Sequence, residues 1–139
     1  MADTKREQIM QALLTQLKTT FRYAVRNHPR LLYEDLPACA IWDDQRAIAE
    51  RAYNNHLHAL TVHVDVGVKL GASQNPSVIA NQLIGQVIGI LEGGDTTYGG
   101  LCESVFAVSD EIMYPQSGDF VLGVRVVFEV HFRAARGAL

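Results

Sequence analysis

The sequence predicts an α+β fold: a two-layer domain, with a mostly antiparallel or mixed sheet of about four to five strands and two helices packed on one face. Three observations predict it. Residues 5–21 and 76–91 carry apolar side chains at helical spacing. Residues 60–70 and 122–132 alternate apolar and polar side chains with period two along their whole length. Turn-forming stretches, "GASQNP", "DTTYGG" and "YPQSGD", separate these segments.

The first helix is marked by Thr4 as cap, with Glu7 three residues on completing a capping box. Ile9, Met10, Leu13, Leu14, Leu17 and Phe21 then form one face, and Gln8, Gln11, Gln16 and Lys18 the other. Two continuations fit "FRYAV": more helix through Ala24 and Val25, or a short extended segment, because Thr19, Thr20 and Phe21 weaken the helix. His28–Pro29 ends either one. "LPACAIW" (36–42) reads as a buried strand, and residues 43–56 as an exposed loop or ragged hairpin arm without a clear period.

The alternation at 60–70 reads as a long strand buried on one face only: Leu60, Val62, Val64, Val66, Val68 and Leu70 on one side, Thr61, His63, Asp65, Gly67 and Lys69 on the other. Asn75 caps a second helix, with Pro76 at its first position, and Gly93 and Gly94 stop it. "LCESVFAVSDEI" reads as a further strand. The closing strand repeats the even-position pattern through Leu122, Val124, Val126, Phe128, Val130 and Phe132, with Arg125, Glu129, His131 and Arg133 facing away.

The 139 residues, 48% of them hydrophobic, are one domain's worth of chain, 1–139, with a single core. Charged residues make up 19%, which excludes a disordered chain and points to a surface partly covered by a partner. The net charge of −3 gives no global reason to bind nucleic acid. Locally Arg22, Arg26, His28 and Arg30 form a basic cluster, read as a solvated edge, with phosphate contact as the alternative. Cys39 and Cys102 are spaced for neither a metal site nor a disulfide framework. "MADTKREQIM" reads as a polar helix and not a signal peptide, and "VIANQLIGQVIGIL" is too short and interrupted to cross a bilayer. The expectation is a soluble protein of a reducing cytoplasm, with no membrane partner.

Candidate chemistry is sparse. Gly99 and Gly100 invite a phosphate-loop reading, but they follow a helix and precede a strand, with no Lys nearby. They read instead as a structural turn with positive φ. "HLH" sets His56 and His58 on one side of a strand. If the two long strands pair, His63, Asp65, Glu129 and His131 share one polar face. That face suits a metal or acid–base chemistry if the residues converge, and otherwise an open or subunit-covered sheet. Cys39 reads as core packing, Cys102 lies beside the turn, and Ser104, Ser109 and Ser117 lack any nucleophile motif. No catalytic residue, cofactor or metal is assigned.

The order of these segments resembles that of the tail terminator (tail completion) proteins of long-tailed bacteriophages. The resemblance spans nearly the whole chain: "REQIMQALLTQL", "RN" then "DLPACAIW", "LTVHVDVGVKL", "NPSVIANQLIGQVIGIL", "DTTYGGLCE" and "GVRVVFEVHFRA". Its more specific parts are the "LP" before a short apolar strand and the Asp–Thr–x–x–Gly–Gly–Leu turn. The resemblance implies a non-enzymatic virion protein at the head-proximal end of the tail, assembled in the host cytoplasm. Its copies would form a ring, six-fold in such proteins, that caps the tail tube, stops its polymerisation and meets a head-side connector or neck protein. DNA would only pass through. A head–tail joining protein of the same fold is the neighbouring reading, and a small metal-dependent enzyme or ligand-binding domain using His63, Asp65, Glu129 and His131 the more distant one. Candidate subunit or tube contacts are Asp43, Asp44, Arg46, Glu50 and Arg51 in the exposed arm, and Glu111, Tyr114 and Asp119 in the 111–119 loop.

Overall fold

The computed structural model describes residues 3–26, 37–116 and 120–139. Its elements in chain order are α1 (Lys5–Lys18), β1 (Tyr23–Arg26), β2 (Ala38–Arg51), β3 (Asn55–Lys69), α2 (Pro76–Glu92), β4 (Ser104–Met113) and β5 (Val121–Ala135). The strands form one sheet in the order β1-β2-β3-β5-β4. β1 runs parallel to β2, and every other neighbouring pair is antiparallel. This is the α+β architecture expected, with a mixed sheet of five strands.

The two alternating segments find each other. β3 and β5 pair without a shift from Asn55↔Ala135 to Lys69↔Val121. Because side chains alternate across a strand, that register sets Leu60, Val62, Val64 and Val66 on the same face as Val124, Val126, Phe128 and Val130. All of these are buried, and both helices lie over that face. Each such side chain contributes roughly 1.5–3 kcal/mol through removal from water. Ile9, Met10, Leu13 and Leu17 of α1, with Ala80, Leu83, Ile84, Val87 and Leu91 of α2, close the core from above.

Helix starts follow the cap chemistry. Thr4 Oγ1 accepts from the Glu7 amide at 3.1 Å, and Asn75 Oδ1 accepts from the Ser77 and Val78 amides. The reciprocal half of the capping box is diverted: the Glu7 carboxylate accepts from Arg26 of β1 and from Gln11. An ionised partner outbids a neutral amide for the same oxygens.

Three segments differ from the simplest sequence reading. "FRYAV" takes the extended alternative: α1 ends at Lys18, and Tyr23–Arg26 pair with Ala38–Ile41. The arm at 43–56 takes the hairpin alternative rather than the loop: β2 continues to Arg51 and β3 begins at Asn55. Register shifts at Asp43/Arg46 and Ile48/Glu50 erase the two-residue period there. The strand read at 36–42 begins at Ala38, and Leu36 lies outside the described residues. So do His28–Pro29, Ser117 and Asp119.

Candidate functional site

The uncovered face of the sheet does carry His63, Asp65, Glu129 and His131, but of the four it brings only Glu129 and His131 into contact. Register sets Asp65 opposite Arg125, His63 opposite Val127, Glu129 opposite Thr61 and His131 opposite Ala59. Each side chain is already engaged. Asp65 receives two hydrogen bonds from Arg125, at 2.6 and 2.9 Å. His131 Nε2 lies 2.6 Å from Glu129 Oε1, and His63 Nε2 lies 3.4 Å from Asp44 Oδ2. Further along, Arg133 bonds Glu103 at 2.7 Å and approaches Glu50 at 3.8 Å. Among the described residues, no three His, Cys, Asp or Glu side chains gather closely enough to hold a metal ion. The face is a set of local charge pairs, with little net charge to offer a ligand.

Of the basic cluster, the two described arginines are each engaged. Arg26 donates to Glu7 and to Asp43, and the Glu7 bond, the main effect against the opposing pull of burial, holds its pKa above the ordinary arginine value. Arg22 lies over the Tyr23 ring at 5.3 Å. His28 and Arg30 fall outside the described residues.

The turn is built from its first residue. Asp95 Oδ1 accepts from the Thr97 amide and hydroxyl at 2.9 and 2.6 Å, and Oδ2 from the Gly99 amide at 3.0 Å. The Thr97 hydroxyl bond, with those two amides, keeps the carboxyl below its ordinary range. The Gly100 and Cys102 amides donate to Thr97 O. An anion therefore finds these donors taken and a carboxylate already present. Tyr98, Gly99 and Gly100 have φ of 50°, 72° and 89°. Burial pushes the Cys102 thiol beside the turn up to about 11 and the Cys39 thiol on β2 up to about 12, which disfavours the thiolate at both.

The arm is the most distinctive surface. Arg46 and Ile48 pair with Leu60 and His58, which sets them on the face that carries the helices. There the helical layer has ended, and β2 is exposed from Asp44 to Arg51. His58 is only 3% exposed and stacks on Phe132 with ring centroids 5.0 Å apart. Its Nδ1 lies 2.7 Å from Arg46 Nη1. Guanidinium only donates, so Nδ1 accepts and the proton sits on Nε2. Burial first, then the charge of Arg46 and the neighbouring His56, lowers the His58 pKa. Arg46, Ile48, His56 and His58 line a groove of about 840 Å³, closed on its far side by Lys5 and residues 137–139.

The remaining expected contact residues divide. Asp43 sits under α1, bonded to Arg6 and Arg26, with its side chain 16% exposed. Burial pushes its carboxyl up, but the two arginines and its own amide prevail and hold it below the ordinary range. Asp44 and Glu50 point to the other face, toward His63 and Arg133. Arg51, Glu111 and Tyr114 are exposed. Sequence reasoning missed the Arg46–His58 pair. The signal was present, since His58 extends the even-position pattern of β3 backward by one step, onto the buried face.

No protein-family model and no curated protein matches the chain. Among solved structures, a chain from the virion of the native gene transfer agent (GTA) particle is similar, with a TM-score of 0.47 and 10% identity over 94% of this chain and 92% of that one. A likeness of this size does not assign a function.

Proposed function

We propose that this chain is a structural protein of a phage-type virion, one whose copies assemble into a ring that caps the tail tube and meets the head-side connector or neck. The observation that carries the reading is the arm: residues 44–51 continue a strand beyond the layer that covers it. A strand exposed on both faces buries little apolar surface in the isolated fold and supplies surface for a neighbour. The element order along the whole chain, resembling the tail terminators, supports the same reading. So does the paired-off sheet face, because a conduit that lets DNA pass carries no dense positive charge. No catalytic role is proposed, and no cofactor or metal.

The test is size by light scattering, alone and with tube protein. Concentration-dependent oligomers, and binding at the ends of tail tubes that stops their growth, are expected. A strict monomer that ignores tube ends overturns the reading.

A further inference from the structure

The sheet has two open edges of unlike chemistry. β1 flanks only Ala38–Ile41 of β2, and no described strand lies along the rest of β2 or along the outer side of β4. Each edge is partly occupied at its inner end. Arg6 Nη2 donates to Asp44 O at 3.1 Å on one edge, and the Ala107 amide donates to Glu92 Oε2 at 3.2 Å on the other. The bare stretches, 45–51 and 108–113, begin just beyond those bonds.

Both stretches carry exposed apolar side chains: Ile48 at 41% on the first, Val108 at 50% and Met113 at 44% on the second. Their unpaired charges are opposite. Arg46 has only a neutral imidazole nitrogen as partner, and Arg51 has no carboxylate partner among the described residues. Asp110 likewise has no ion pair or side-chain hydrogen bond among them. Register also aligns them by face. Arg46 opposite Leu60, Arg51 opposite His56 and Asp110 opposite Val126 all lie on the helix-bearing side. Copies related by rotation keep that side in common, so the arginines of one copy can meet the aspartate of the next.

We infer that these two edges are the halves of one head-to-tail contact between copies of this chain: Arg46, Ile48 and Arg51 of one against Val108 and Asp110 of the next. The inference rests on the ring reading and names the surfaces that close the ring. Bulges interrupt both edges, at Asp43/Arg46, Ile48/Glu50 and Ala107/Ser109. They work against a continuous ladder between copies, so side chains carry the contact. The groove beside Arg46 gives the incoming carboxylate room to reach the guanidinium.

Charge exchange tests it. Arg46→Glu with Arg51→Glu, and separately Asp110→Arg, are each expected to weaken self-association ~100-fold by sedimentation, through like-charge juxtaposition. Mixing the two variants, or joining all three changes in one chain, is expected to restore it. Arg51→Glu alone spares the His58 bond and keeps the test open if Arg46→Glu lowers the melting temperature. Unchanged association in every variant, or loss that neither mixing nor joining repairs, overturns the inference while a wild-type oligomer keeps the ring reading standing. A wild-type chain that stays monomeric and ignores tube ends overturns both.

Discussion

The two halves of the β2–β3 hairpin are the same ladder in opposite circumstances. At the inner half, Ala38–Ile41 are buried, flanked by β1 and roofed by the helices. At the outer half, Asp44–Arg51 are exposed, unflanked and bulged twice. Isoleucine and alanine occur in both, so apolar side chains alone do not separate them, although the charged ones fall only in the outer half. The roof does. A strand is a core element only as far as something covers it, and past that point its side chains answer to whatever meets them from outside.

Substituting one residue type in both halves breaks or confirms that contrast. Ile41→Ala is expected to destabilise by about 2–5 kcal/mol in urea unfolding, because Ile41 is fully buried and truncation leaves a cavity. Ile48→Ala is expected to change the monomer's stability by less than ~0.5 kcal/mol, as at other exposed sites. Equal losses at both positions would erase the distinction.

Exposure alone does not confer tolerance, and Gly100 sharpens this. It is exposed, and an added Cβ would meet nothing within 4 Å. Yet its φ of 89° is one that a β-branched residue rarely adopts. Gly100→Val is expected to cost about 1–3 kcal/mol through backbone strain. An unchanged melting temperature would show that the turn relaxes freely.

Asp43 marks the border between the halves. Asp43→Asn weakens two arginine contacts under α1, and a loss of about 1 kcal/mol is expected for this partly buried pair. Its folded pKa lies below the unfolded 3.8, and that of Glu7 below 4.5. Both groups therefore stabilise above those unfolded values, and the contribution is lost as pH falls through the lowered folded ones. An acid titration of the melting temperature should show a shallower fall in Asp43→Asn than in the parent.

The smallest expected effect is at His58. Its folded pKa is below the unfolded 6.5, so its contribution is present above pH 6.5 and is lost as pH falls from there through the folded value. His58→Gln should flatten the stability profile just below pH 6.5. An identical profile would show that the ring is protonated without penalty.

The strongly periodic elements were legible in the sequence. The even-position pattern fixes the buried face of β3 and β5, and cap residues place both helix starts. What was not legible depends on partners distant along the chain. The bulges of β2 hide its period, so the sequence alone could not choose between a loop and a ragged hairpin arm. Glu7 abandons the capping box because Arg26 arrives from β1. The four-residue polar face is correctly placed on one side, but alternation says nothing about spacing along the ladder. Register sets those residues on different rungs, beside charges that neutralise them.

The unbroken pairing of β3 with β5 also gives the molecule a mechanical grain. Fifteen residues of each strand are joined in register, a beam roughly 50 Å long. Force applied along the strands loads all of its rungs together, as shear does. Force applied across them opens one rung at a time, like a zipper. A body pulled along the first direction resists as a rod, and the same body pulled along the second peels from its end.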